Sequence, residues 1–136
     1  MGGGADMLSD DVWEPLRAAI PSFAGRWTEV VQQPWYESDA TYGVSELARH
    51  LVDEAVAGRS TELPAFFAAL DGLLASASDE IYDVLTIGLL EDVIHEAEHR
   101  GVVLKTFARA ARGDRARTAW NDVVAFIERA KRPPSR

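Results

Sequence analysis

Residues 79–101 read DEIYDVLTIGLLEDVIHEAEHRG, and the reading of this stretch decides the fold. Its apolar residues, Ile81, Val84, Leu85, Ile87, Leu89, Leu90, Val93 and Ile94, do not keep a strand's strict alternation. Asp79 and Glu80 follow Ser78 at the start, where carboxylates meet the positive end of a helix dipole, and Gly101 supplies a stop. The pattern predicts a long helix over 79–99. Apolar residues surround its first half, which places it at the middle of the fold. Its second half turns a polar sector outward, with Glu91, His95, Glu98 and His99.

The flanking sequence is helical in the same way. Ser9 or Asp10 can cap a first helix carrying Val12, Trp13, Leu16 and Ile20 and stopped by Pro21. Phe23, Trp27, Val30 and Val31 repeat at helical spacing until Pro34, and 35–43 reads as an aromatic-rich loop. A third helix is expected from about Val44 to Ala57, with Leu47, Leu51, Val52 and Ala55 inward and Gly58 as its stop. Ser60 or Thr61 can cap a fourth, with Leu63, Phe66, Phe67, Leu70, Leu73 and Leu74 on its apolar side. A sixth takes Val103, Leu104, Phe107 and Ala108, and Asp114 caps a seventh with Trp120, Val123, Val124 and Ile127 inward. The expected fold is all-α: a single-domain orthogonal bundle of six or seven helices over 9–132, with a flexible 1–8 and a basic tail at 133–136.

Within the long helix, His95-Glu96-Ala97-Glu98-His99 spells H-E-x-x-H. Two imidazoles one helical turn apart can reach one zinc ion, and the Glu after the first can act as general base on a bound water. Such a site needs three protein ligands and an open position. Here the extended motif fails, because Val102 and Lys105 stand where a glycine and a third histidine belong. Glu98 puts charge at a position that is usually uncharged, and Arg100 sets a fixed cation beside the proposed metal. The string therefore reads as a solvated helix end, with a zinc-dependent hydrolase using His95, Glu96 and His99 as the alternative.

Composition narrows the function classes. The chain has 136 residues, 47% of them hydrophobic, enough for a core without staples. It has no cysteine, which removes disulfides, thiolate nucleophiles and Cys-ligated zinc and fits a cytoplasmic setting. No apolar run is long enough for a membrane span, and no glycine-rich phosphate loop or cofactor motif is present. Charge is strongly divided: residues 1–99 hold 19 Asp/Glu against 4 Lys/Arg, whereas residues 100–136 hold 10 Lys/Arg against 3 Asp/Glu. Either the basic part docks on the acidic body, or two surfaces of opposite sign face different partners.

Two segments stand out as contact surfaces. Trp35, Tyr36 and Tyr42 lie beside Glu37 and Asp39, an acid-flanked aromatic patch of the kind that anchors a basic protein partner. Arg109, Arg112, Arg115 and Arg117 form a basic run able to grip phosphates, which makes nucleic-acid binding or regulation a second alternative. The order Tyr42…Leu47…Leu51-Val52, then Leu63…Phe66-Phe67…Leu70, then Asp79…Ile81…Val84…Leu89-Leu90-Glu91 resembles a group of small all-helical bacterial proteins of unknown function. Some of these look like immunity proteins of polymorphic toxin systems. The resemblance covers roughly residues 40–100 and implies a binding protein rather than an enzyme. It carries over no catalytic residue, metal or cofactor. The expectation is thus a non-enzymatic protein-binding module whose acidic surface neutralises a basic partner.

Overall fold

In the computed structural model, residues 10–32 and 41–131 are described. Helix α1 covers Asp10–Ala19, a short 3-10 turn covers Pro21–Phe23, and α2 covers Ala24–Val31. Next come α3 (Thr41–Val56) and α4 (Leu63–Ser76). The segment 79–100 is one continuous helical run in three parts: α5 (Asp79–Asp83), a π-helical segment (Val84–Leu90) and α6 (Glu91–Arg100). A short α7 (Lys105–Ala108) and the long α8 (Asp114–Lys131) complete the chain, and the described residues contain no strand. The fold is an all-α bundle. Taken with 79–100 as one unit, the helices among the described residues number seven, within the expected six or seven.

The long run occupies the middle. Its π segment packs on α3 and α8, and α6 packs on the same two helices. On the other side, α4 bridges α1 and α8. Leu85, Leu89, Leu90, Val93, Ile94 and Ala97 are all buried along the run. They face Val44, Leu47, Ala48, Leu51 and Val52 of α3, whose i, i+3, i+4, i+7, i+8 spacing makes one helical stripe. Phe66, Phe67, Phe107 and Trp120 fill the opposite half, with Phe67 and Trp120 edge to face at 5.9 Å.

The π segment answers to the sequence. Buried residues recur as pairs every four positions: 85 and 86, 89 and 90, 93 and 94, then 97. Four residues of an α-helix overshoot a full turn by about 40°, so a strict four-residue repeat would spiral off the core face. The wider turn of a π-helix absorbs that drift. The Thr86 hydroxyl donates to the Tyr82 carbonyl at 2.8 Å, engaging the acceptor one α-turn back. The cost falls on Ile87, which is 53% exposed instead of joining an apolar sector all round.

Helix ends follow local chemistry, with three revisions. Gly58 and Gly101 adopt positive φ and close Schellman-type caps: Arg59 N–H donates to the Glu54 carbonyl at 2.7 Å and Val102 N–H to the Ala97 carbonyl at 2.8 Å. Ser78 accepts from the Ile81 N–H as the cap of α5. At α4 neither Ser60 nor Thr61 caps; the helix opens at Leu63 after Glu62, whose side chain is engaged elsewhere. Helix α3 begins at Thr41 rather than Val44, which brings Gly43 inside the helix. There the Trp13 ring approaches so closely that a Cβ would sit 2.8 Å from it. The start of α8 is capped from across the fold, the Ala116 N–H donating to the Asp71 carboxylate at 2.8 Å.

Candidate functional site

Helix α6 presents the H-E-x-x-H string to a groove of about 300 Å³ shared with α3. Asp92, His95, Glu96 and His99 line it from one side, Ser45 and Arg49 from the other. Both imidazoles are exposed and Glu96 is half-buried. Side-chain pairing has already committed much of this lining. Ser45 donates to the Asp92 carboxylate at 3.0 Å, and the Arg49 guanidinium pairs with Glu46 at 2.6 Å. Glu96 faces Arg100 at 3.7 Å, one turn along the same helix.

Those pairings decide what the groove can do chemically. A general base over a metal-bound water needs a carboxylate turned to the metal, whereas Glu96 lies 3.7 Å from the fixed cation of Arg100. Among the described residues, no three His, Asp or Glu side chains are arranged to hold a metal ion. The described donors do not supply the three ligands that a catalytic zinc needs.

Beside the groove runs an ion-pair chain. Arg26 of α2 pairs with Asp53 of α3 at 3.0 Å, and Asp53 accepts from Arg100 of α6 at 2.5 Å. Burial alone would raise the Asp53 carboxyl, but the hydrogen bond from Arg100, with Arg26 behind it, holds it below the ordinary carboxylate value. Glu54 is held low as well, by its two hydrogen bonds from Arg59. The chain of charges ties three helices together at the C-terminal end of α6.

A second polar cluster was not visible in the sequence. His50 of α3 is 6% exposed, and its Nε2 lies 2.8 Å from the Ser22 hydroxyl. Ser22 gives its one proton to Glu62 at 2.5 Å, so by elimination its oxygen accepts from a His50 Nε2–H. That arrangement is the reverse of a nucleophilic dyad, in which serine donates to histidine. It is a tie between the 3-10 turn, α3 and the start of α4, completed by the Ser22 N–H donating to Glu62 at 3.2 Å. Burial pushes the His50 imidazole below its ordinary value, against the opposing pull of Glu54 and Glu62. No local spacing joins residues 22, 50 and 62, which is why the sequence reading missed them.

The remaining sequence candidates divide sharply. Trp35, Tyr36, Glu37 and Asp39 lie outside the described residues; Tyr42 falls in the first turn of α3, its side chain outside them too. Arg109, Arg112, Arg115 and Arg117 are exposed. None of the four forms an ion pair among the described residues. Of the described cations after Arg100, only Lys131 pairs with the acidic body among the described residues, meeting Glu98 at 2.7 Å. No helix among the described residues is long and apolar enough to cross a membrane.

Fold and sites thus define an all-α bundle carrying a polar helix-to-helix groove. The chain belongs to the family described as Domain of unknown function (DUF7674), which it matches over residues 13–122. No curated protein and no solved structure matches it.

Proposed function

We propose that this chain is a non-enzymatic protein-binding module that receives a basic partner on its acidic body, in the manner of a toxin-neutralising immunity protein. One observation supports this reading above the rest: among the described residues the two halves of the charge cancel only in part. The run Arg109–Arg117 stays exposed and forms no ion pair among the described residues. Asp11, Glu14, Asp79, Glu80 and Asp83 are likewise exposed and form no ion pair among the described residues. Uncompensated surface charge of one sign steers an oppositely charged protein and accelerates its encounter. A nuclease toxin, whose phosphate-binding cleft must be blocked, is a partner of the right chemistry. The aromatic segment Trp35, Tyr36, Tyr42 with Glu37 and Asp39 remains the anchor suggested by the sequence.

Crosslinking in the native host, followed by capture with charge-reversed variants, tests the reading. A basic partner should be retained by Arg112→Ala/Arg115→Ala and lost with Asp79→Lys/Glu80→Lys/Asp83→Lys. The opposite pattern would favour the second reading, in which the exposed run Arg109–Arg117 grips the phosphates of a nucleic acid. Binding would then weaken with salt in proportion to the phosphates contacted.

A further inference from the structure

A concave surface of about 200 Å³ lies away from the H-E-x-x-H groove, between the π segment and α8. Tyr82, Ile87 and Phe126 line it, and they are 38%, 53% and 50% exposed. Large apolar side chains left in water side by side mark interaction surfaces more often than isolated ones do. Asp83, Glu91 and Asp122 stand around them, and none of the three carboxylates has an ion-pair partner among the described residues. The π segment creates this surface, because its widened turn keeps Leu85, Leu89 and Leu90 inward and leaves Ile87 facing out.

Size and charge select the occupant. The volume falls below the roughly 300–1,000 Å³ usual for small-molecule sites, so it suits side chains entering from a partner. A groove between two helices is a natural seat for a third, whose apolar stripe fills the floor while its flanks meet the rim. The rim here is all acidic. Arg115 lines the adjoining cavity beyond Tyr82 together with Asp114, so the charged side chains lining the groove itself are Asp83, Glu91 and Asp122.

We propose that this groove docks an amphipathic helix of a basic protein, with apolar side chains between Ile87 and Phe126 and lysines or arginines on Asp83, Glu91 and Asp122. The proposal rests on the protein-binding reading above and gives that reading a specific contact surface.

The probe is a synthetic helix with leucines at helical spacing and lysines elsewhere, titrated into the full-length protein while backbone amide shifts are followed. Two controls share its length: one with alanine for leucine, one with glutamate for lysine. Shifts should concentrate around Ile87 and Phe126, and both controls should bind far more weakly. Ile87→Ser and Phe126→Ser should each weaken binding about tenfold, as loss of an interface anchor does. Asp83→Lys/Asp122→Lys should weaken it and flatten its salt dependence. Both apolar positions are half-exposed, so melting temperatures should hold; Ile87→Thr serves as a second variant.

Lysine-helix binding that maps elsewhere on the acidic surface, or survives Phe126→Ser unchanged, overturns the groove and leaves the acidic-surface reading standing. Equal binding of the glutamate helix overturns both. A dimer of this chain that dissociates in Phe126→Ser would assign the groove to a second copy and overturn the partner proposal.

Discussion

His95 and His99 are open to solvent on α6, whereas His50 is 6% exposed and hydrogen-bonded to Ser22. The first two carry a motif that sequence alone can find; the third carries a constraint that only the assembled fold creates. For the motif, protein purified without chelators is expected to hold no stoichiometric zinc, since Arg100 sets a cation 3.7 Å from Glu96 and no third ligand converges among the described residues. Elemental analysis checks this. One zinc per chain, lost in His95→Ala and His99→Ala, would restore the hydrolase reading. For His50 the sign of the pH effect follows from its lowered pKa. An unfolded imidazole takes up its proton near pH 6.5, as the folded one does only at lower pH. Between those values the unfolded chain binds more protons, so stability falls as the pH drops. Further down, Asp53 and Glu54, both held low, lose their contribution as the pH falls through their folded values. Denaturant unfolding over a pH series should therefore show two stages. His50→Gln, which keeps a donor near Ser22, should remove the first stage and spare the second.

Helices α1, α3 and α8 fall close to where the sequence places them, because each is written in a plain 3.6-residue stripe with a stop residue beside it. The segment 79–99 was equally clear as a helix but not as a π-helix. Its signal was the four-residue recurrence from Leu85 to Ala97, and a reading that counts apolar residues without their phase sees an all-apolar sector instead. Ile87 and Leu89 separate the two descriptions. Leu89→Ala should cost about 2–5 kcal/mol, as buried leucine truncations do. Ile87→Ala, outward on the widened turn, should stay within about 0.5 kcal/mol of the parent. Similar losses at both positions would return Ile87 to the core and remove the exposed patch. The capping of α8 by Asp71 was illegible for another reason: acceptor and donor are 45 positions apart in sequence. Asp114, the local candidate, is the first residue of the helix.

The molecule as a whole carries a formal net charge of −8, a number that conceals an acidic body and a basic C-terminal segment. Mutual docking of the two was one reading of the sequence. Of that segment, Lys131 docks on Glu98 and Arg100 on Asp53, while Arg109 to Arg117 do not join them. If the acidic face is the working one, association with a captured basic partner should be governed by long-range attraction, which salt screens beyond about 8 Å at physiological ionic strength. Stopped-flow association rates measured from low to physiological ionic strength should therefore fall steeply. They should drop further on charge reversal at Glu37 and Asp39, and stay unchanged when Arg112 and Arg115 are neutralised. A rate that is flat in salt and indifferent to Glu37 and Asp39, yet collapses with Arg112→Ala/Arg115→Ala, would contradict the acidic-surface reading.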